Sequence, residues 1–232
     1  MQMLRWLKEN WLQTVILGVP FIVVAAFWDR FPARVVTHWG GDGQPNGWMS
    51  RAPGLLGAPL LGVFVALVTG WIPRLDPRLR RDPEASERSF ATIGVIRLAS
   101  TALVSFGSLL IAAEALGIHF NTIRIGINVV LLFFVVVGNY MGNIRPNYFV
   151  GVRTPWTLES DDVWRETHRM MGRVWVFGAL AFLALQFAIR QSLVMPCCAG
   201  YFVATGVLSV PYSYWRFQAA NSSRRPPDSP AR

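Results

Sequence analysis

Two stretches of the sequence carry the polar side chains whose types and spacing could do chemistry. The first covers residues 31–53, where His38 precedes Asp42 by four positions among closely spaced glycines. An imidazole and a carboxylate are both metal ligands, but two groups make only half of a tetrahedral site. We therefore interpret His38 as a hydrogen-bonded structural residue and predict no metal site here.

The second stretch covers residues 138–172 and includes Glu166 and His168, which offer acid–base or ligand chemistry. The two residues do not form the H-E-x-x-H pattern of a zinc protease, and nothing in the chain resembles a nucleophile elbow or a P-loop. We predict no catalytic residues, no metal and no cofactor, and we expect that the chain is not an enzyme. A membrane enzyme built on this pair is the weakest of three functional hypotheses.

The second stretch also has the pattern of a loop that leads into a helix. Pro146 and Pro155 prevent a continuous helix, whereas Ser160 followed by two aspartates is typical of an N-cap with an acidic first turn. The helix is expected to run directly into an apolar span. One of its faces carries aromatic and apolar residues that suit the membrane interface, and another carries arginines that suit lipid phosphates or an acidic partner. The first face comprises Trp164, His168, Met171 and Trp175, and the second comprises Arg165, Arg169 and Arg173.

The composition is that of a membrane protein. Apolar residues make up 53% of the 232 positions and charged residues only 15%, whereas a soluble domain carries roughly 25% charged residues. A membrane-spanning helix needs about 20 mostly apolar residues. Six segments meet or approach that length: Trp11–Trp28, Leu55–Ile72, Phe90–Ala113, Ile125–Tyr140, Val174–Ile189 and Leu193–Trp215. The predicted fold class is therefore all-α, a polytopic bundle of about six transmembrane helices.

The positive charge of the chain reports its orientation. The net charge of +9 suggests nucleic acid or an anionic membrane surface. Sixteen of the 22 Lys and Arg residues, however, fall in the termini and alternate loops that share one side of a six-span topology. Because cytoplasmic loops carry the excess of Lys and Arg, we predict a plasma-membrane protein with both termini inside and no direct contact with nucleic acid.

Two spans carry patterns of their own. The second has small residues at strict four-residue intervals, which predicts close helix packing in preference to a ligand groove; they are Gly54, Ala58, Gly62, Ala66 and Gly70. In the third span, Arg97 shares a polar face with Thr101, Ser105 and Ser108. An ionisable residue inside a span is a functional hypothesis by default. Arg97 nevertheless lies close enough to the cytoplasmic end to extend to the lipid headgroups, and we favour that structural interpretation.

At both stretches the sequence resembles known families. The inner stretch resembles the signature of the SdpI family of bacterial multipass immunity proteins, through Asn147, Gly151, Arg153, Pro155, Trp156, Trp164, His168 and Arg169. The outer stretch resembles a short domain of unknown function, DUF1648, often found N-terminal to SdpI regions. Its matching residues are Pro32, His38, Trp39, Gly43, Pro45, Gly47 and Trp48.

The resemblance implies an integral membrane protein that protects its cell from a secreted, membrane-active peptide. It also implies that the protein holds a cytoplasmic repressor at the membrane, and that the family residues of the inner stretch contact a ligand or partner. The second functional hypothesis is a small transporter or lipid-binding protein that uses the polar face of Arg97. The expected partners are membrane lipids, a toxin peptide and a repressor, and the oligomeric state stays open.

The resemblance also divides the chain. Residues 10–73 are expected to form the DUF1648-like region, and residues 90–215 the SdpI-like helical region. Residues 74–89 are expected to be a basic cytoplasmic loop between them, and residues 216–232 a disordered basic tail. With His38 predicted outside and His168 inside, the two stretches are expected to lie on opposite sides of the bilayer.

Overall fold

The computed structural model describes residues 10–81 and 83–223 of the chain. Within those residues the architecture is a bundle of helices with one small antiparallel hairpin. In chain order the elements are α1 (Trp11–Ala26), β1 (Arg34–Trp39), β2 (Pro45–Ser50), α2 (Arg51–Leu75), α3 (Pro77–Arg81), α4 (Pro83–Ala115), α5 (Thr122–Met141), α6 (Pro155–Glu159), α7 (Asp161–Leu185) and α8 (Gln191–Ser223).

The prediction of an all-α polytopic membrane protein is confirmed. Within the described residues, five helices are long and apolar enough to cross a membrane, and the spans cover Arg51–Trp71, Ser89–Ala115, Thr122–Met141, Asp161–Ala188 and Gln191–Ser222. The first predicted span, Trp11–Trp28, is shorter than expected. Its helix α1 has 16 residues and gives way to a short 3₁₀ turn at Trp28–Arg30, so at about 1.5 Å per residue it falls short of the hydrocarbon thickness of about 30 Å.

The outer glycine-rich stretch forms a two-stranded β-hairpin. Strand β1 pairs with β2 from Arg34 opposite Ser50 to Trp39 opposite Pro45, with irregular register around His38. Gly43 in the connecting turn has a φ of 83°, a left-handed conformation that glycine adopts without strain. Val35 of β1 lies on a buried face of the hairpin, since it is 1% exposed, whereas the adjacent Val36 points to the other face and is half-buried.

The small residues of the second span serve packing, as predicted. A side-chain carbon added at Gly54 would lie 2.2 Å from Cγ2 of Val35, so this glycine allows the hairpin to rest directly on α2. A similar carbon at Gly62 would lie 3.2 Å from Leu17 of α1 and 3.5 Å from Val104 of α4. The contact at Gly54 requires a residue without a side chain, and the contacts at Gly62 leave little room for one, which is how small residues bring backbones together in lipid.

Polar contacts define two ends of the bundle, which we call the outer end and the inner end. At the outer end, Arg124 at the start of α5 donates to Gln191 at the start of α8 over 2.8 Å, and the hairpin turn lies beside Gln191. At the inner end, Arg97 donates to Asn10 over 2.6 Å, and the amide of Tyr148 donates to Asp76 over 2.7 Å. The two family stretches therefore lie at opposite ends, and His38 and His168 do not share a site.

The predicted basic loop and the start of the predicted disordered tail are largely helical. Much of the predicted basic loop at residues 74–89 belongs to α3 and to the start of α4. The carboxylate of Asp76 stabilises the start of α3 because it accepts hydrogen bonds from the amides of Arg78 and Leu79, at 2.8 and 3.3 Å. Residues 216–223 of the predicted disordered tail continue α8, and residues 224–232 lie outside the described residues.

The arrangement of the two ends makes the predicted orientation testable by labelling. With Cys197 and Cys198 changed to alanine, Ala33→Cys places a thiol beside the hairpin and Asn221→Cys places one at the inner end of α8. We expect a membrane-impermeant maleimide to label Ala33→Cys in right-side-out vesicles and Asn221→Cys only after permeabilisation, because a charged reagent does not cross the bilayer. The reverse pattern would contradict the orientation with both termini inside.

Candidate functional site

The inner end of the bundle contains a non-helical loop between α5 and α6 that side chains hold in place. The helix α5 ends at Met141, and the chain stays irregular until α6 begins at Pro155. Backbone amides and carbonyls near a membrane need partners when no helix supplies them. We call the contacts that supply those partners, centred on Asn147 and His168, the inner interlock.

Asn147 organises the first half of the loop. Its side chain is 1% exposed. The amide nitrogen donates to the carbonyls of Arg145 and Val150 at 2.9 and 3.0 Å, and the amide oxygen accepts from the backbone N–H groups of Phe149 and Val150 at 2.9 and 2.6 Å. All four positions of the amide are thereby occupied, so Asn147 is a structural residue in this arrangement.

His168 joins the loop to α7. The ring is fully buried, and its Nε2 accepts a hydrogen bond from the backbone N–H of Val152 over 3.0 Å. The other nitrogen, Nδ1, lies 2.8 Å from the carbonyl oxygen of Trp164 one turn earlier. Because a carbonyl only accepts and the amide only donates, these contacts select the neutral imidazole with its proton on Nδ1.

Gly151 makes room for that ring. Its φ is 115°, which side-chain-bearing residues rarely adopt, and a side-chain carbon there would lie 2.2 Å from Nε2 of His168. Conformation and space therefore both require glycine. The hydrogen bond between Val152 and His168 depends on the missing side chain one residue before it.

The aromatic face of α7 lies inside the protein, which corrects its predicted position at the membrane interface. Trp164 and Met171 are 0% and 1% exposed, and the indole of Trp164 stacks on His168 with ring centres 4.1 Å apart. The indole nitrogen donates to the carbonyl of Ile144 over 2.7 Å. A buried face that also satisfies the α5–α6 loop has the same helical spacing as an interfacial one, so the pattern alone did not distinguish them.

The short helix α6 links the loop to α8. Thr154 caps it, since its hydroxyl accepts from the amide of Thr157, and Pro155 occupies the first helical position. Thr154 also lies 3.0 Å from the hydroxyl of Ser213 in α8. Trp156 packs against Tyr214 of the same helix with ring centres 5.0 Å apart. The predicted N-cap at Ser160 is observed as well, because its side chain accepts from the amide of Val163.

Asp76 and Arg78 were not identified in the sequence as partners of this loop. Asp76 is fully buried and accepts from the amide of Tyr148, while Arg78 donates to the carbonyl of Leu158 over 2.7 Å and lies over the ring of Tyr148. The pair connects α2 and α3 with a segment about 75 residues away. The sequence contains only a local signal for Asp76: an aspartate followed by proline at a helix boundary indicates an N-cap. That signal does not identify a distant partner.

The remaining family residues of the inner stretch are exposed. Arg153 donates to the carbonyl of Tyr148 over 2.7 Å, and Arg169 lies on an exposed face of α7 together with Arg165 and Arg173. Glu166 is paired with Arg216 of α8. These side chains can contact solutes or partners without any change in the buried interlock.

The outer family residues build the hairpin. His38 bonds to Asn46 through its Nδ1, in agreement with its predicted role, and Asp42 instead accepts from the amide of Gln44 in the turn. A side-chain carbon at Gly47 would lie 2.8 Å from Cβ of His38, so this glycine permits the pairing. The carbonyl of Pro32 accepts from Arg51, whereas Trp39 is half-buried and Trp48 is 49% exposed.

Arg97 lies in a half-buried position beside a cavity of about 370 Å³ that Arg74 also lines. The side chain donates to Asn10. Two polar residues further along the same face donate to backbone carbonyls of their own helix. Thr101 donates to the carbonyl of Arg97 over 3.0 Å, and Ser108 donates to that of Val104 over 2.8 Å. The face is therefore buried between helices, and Thr101, Ser105 and Ser108 do not line that cavity.

These features define a polytopic membrane protein with a hairpin at one end of its bundle and an interlocked loop at the other. Residues 143–214 match the SdpI/YfhL protein family, and residues 15–63 match the domain of unknown function DUF1648. Immunity protein SdpI of Bacillus subtilis (strain 168) is 23% identical over 221 residues, which cover 94% of this chain and 100% of that protein. The resemblance of the chain to the SdpI family, with a DUF1648 region before it, is confirmed. No solved structure matches the chain.

The space at Gly151 leads to a stability prediction. Gly151→Ala forces a methyl group against His168 at a positive φ, so we expect a loss of about 2–4 kcal/mol in the free energy of unfolding. Gly206→Ala in α8 is the matched control, because nothing lies within 4 Å of the added carbon. Thermal unfolding of both purified variants in detergent measures the difference, and equal melting temperatures would contradict the interlock.

Proposed function

We propose that this chain is an integral membrane immunity protein that gives its cell resistance to a secreted, membrane-active peptide toxin. The observation that carries the proposal is the extent of the likeness to Immunity protein SdpI, which spans the whole of that relative and 94% of this chain. The likeness therefore includes the hairpin, the bundle and the inner interlock.

The hairpin at the outer end is the proposed point of contact with the toxin. A peptide that arrives from outside and binds the membrane places its apolar face at the headgroup boundary. The hairpin offers apolar side chains for such a contact, because Trp48 and Met49 are 49% and 45% exposed. The pairing of the two strands and the contact between Val35 and Gly54 position these side chains.

The inner interlock is the proposed means of signalling to a cytoplasmic repressor. The helix α8 crosses the bundle and meets the interlock at its inner end, through Thr154 with Ser213 and through Glu166 with Arg216. A shift of α8 caused by toxin binding would therefore disturb the α5–α6 loop, on which Arg153 is exposed. This proposal assigns Arg153 and Arg169 to partner contact.

Catalysis receives no support from the same geometry. Both ring nitrogens of His168 are occupied by backbone groups, and the carboxylate of Glu166 is paired with Arg216. A general base needs a free nitrogen or oxygen within hydrogen-bonding reach of a substrate proton. We keep the inference that the chain is not an enzyme.

Protection of a sensitive cell tests the proposed function. The chain is expressed in a bacterial strain that membrane-active peptide toxins kill, and survival and membrane depolarisation are measured against a panel of such purified peptides. We expect the wild-type chain to raise the inhibitory concentration of at least one peptide several-fold, and Gly206→Ala to do the same. Unchanged killing by every peptide, with the protein present in the membrane, would count against immunity.

A pair of tryptophan variants tests the proposed role of the hairpin. Trp48→Ala removes an exposed aromatic side chain at the outer end, and Trp215→Ala removes one of similar exposure, 59%, at the inner end. Buried aromatic contacts at an interface contribute about 2 kcal/mol, so Trp48→Ala is expected to lower protection roughly tenfold or more. Trp215→Ala is expected to protect as the wild type does. Equal protection by both variants would remove the hairpin from the mechanism.

A further inference from the structure

Two adjoining cavities at the inner end form one groove, whose wider part lies between α4, the end of α5 and the start of α7 and whose narrower part lies between α5 and α7. The larger has a volume of about 710 Å³ and the smaller about 270 Å³, and both are lined by Gly142 and Arg169. We call them together the inner groove. The larger volume lies within the range of small-molecule sites, roughly 300–1,000 Å³.

The larger cavity is strongly basic. Arg145, Arg165 and Arg169 line it, together with the phenol of Tyr140 and the amide of Asn143. Among the lining residues that the structure describes, none is a carboxylate, and Asp162, three residues before Arg165, is bound to Arg165. Guanidinium groups with hydroxyl and amide donors are the set of side chains that bind phosphate oxygens, often through two parallel hydrogen bonds.

The smaller cavity continues the groove with an apolar wall. Val176 and Phe177 line it beyond Arg169 and Arg173, and Phe177 is 69% exposed. The two helices cross closely beside this cavity, since a side-chain carbon at Gly172 would lie 2.5 Å from the carbonyl oxygen of Gly138. One ligand that follows the groove therefore meets cationic groups first and an apolar surface next.

The depth of the groove in the membrane matches this change of chemistry. The span that contains α7 has 28 residues, so it is about 42 Å long and exceeds the hydrocarbon thickness by about 12 Å. Arg165 and Arg169 lie in its first three turns, at the inner end, where most of the Lys and Arg residues are predicted to face the cytoplasm. With this excess placed at the inner end, we expect their guanidinium groups at the level of lipid phosphates and Phe177 at the level of acyl chains.

We propose that the inner groove binds an anionic phospholipid, with the phosphate held by Arg145 and Arg169 and an acyl chain along Val176 and Phe177. Arg165 contributes less because it is shared with Asp162. The chemistry of the larger cavity is that of any phosphate monoester or diester, and the apolar continuation selects the lipid. This site is separate from the proposed contact with a toxin, although it shares Arg169 with the proposed contact with a repressor, and lipid binding does not depend on the immunity function.

Native mass spectrometry of the full chain, released from nanodiscs of equal phosphatidylglycerol and phosphatidylcholine, tests the proposal. We expect wild type to retain phosphatidylglycerol in preference to phosphatidylcholine. The double variant Arg145→Gln, Arg169→Gln is expected to retain it about tenfold less, since it loses two charge-assisted contacts. The control Arg34→Gln, Arg190→Gln removes the same charge at the outer end and is expected to behave as wild type. Because both leaflets have the same composition, the two double variants lose the same general electrostatic attraction to phosphatidylglycerol.

Competition with soluble probes separates the source of the phosphate. Glycerol 3-phosphate carries the phosphate without acyl chains, and it is expected not to displace phosphatidylglycerol at millimolar concentration. Displacement by glycerol 3-phosphate would overturn the lipid assignment in favour of a soluble phosphate. Displacement only by an acidic peptide such as polyglutamate would overturn it in favour of a protein partner. Equal lipid retention by the wild type and the Arg145 and Arg169 double variant, with both folded by circular dichroism, would overturn the site itself.

Discussion

The hydrogen bond from the amide of Val152 to Nε2 of His168 is the contact around which the inner end of the bundle is built. It requires a glycine at position 151, a neutral imidazole with its proton directed at the carbonyl of Trp164, and an indole stacked beneath the ring. A loop without secondary structure becomes fixed against α7 because the loop supplies the glycine and the amide, while α7 supplies the imidazole, the carbonyl and the indole. Near a membrane, where unpaired backbone groups are costly, such a network replaces the hydrogen bonds that a helix would provide.

The rest of the inner end extends from this contact. Asn147 provides hydrogen-bond partners for backbone groups in the first half of the loop. Asp76 and Arg78 connect the loop and α6 to the end of α2 and to α3. Thr154 connects the loop to α8, and Glu166 connects α7 to α8. Helices that are far apart along the chain are thereby held together through side-chain contacts with one loop, so movement of any of these helices would change the contacts of the others.

The outer end uses a different physical solution. Here two strands satisfy each other's backbone groups, and the hairpin rests on α2 because Gly54 leaves space for Val35. A hairpin alone is marginally stable in water, and its buried face is what fixes it to the bundle. Trp48 on the other face and Met49 at the edge of the buried face stay exposed, which gives this end an apolar surface for contact.

The sequence by itself determined the membrane-spanning helices, the small-residue packing of α2, the N-cap at Ser160 and the likeness to the SdpI family. These depend on composition and on spacing within one element, and such information is local. It did not distinguish a buried aromatic face on α7 from an interfacial one, because both have the same period. Nor did it pair Asp76 with Tyr148, or place Arg145 and Arg169 on one groove, since these residues are distant in sequence or belong to different elements. Only the tertiary structure decided which polar groups are satisfied by one another and which remain exposed, because that depends on how the helices cross.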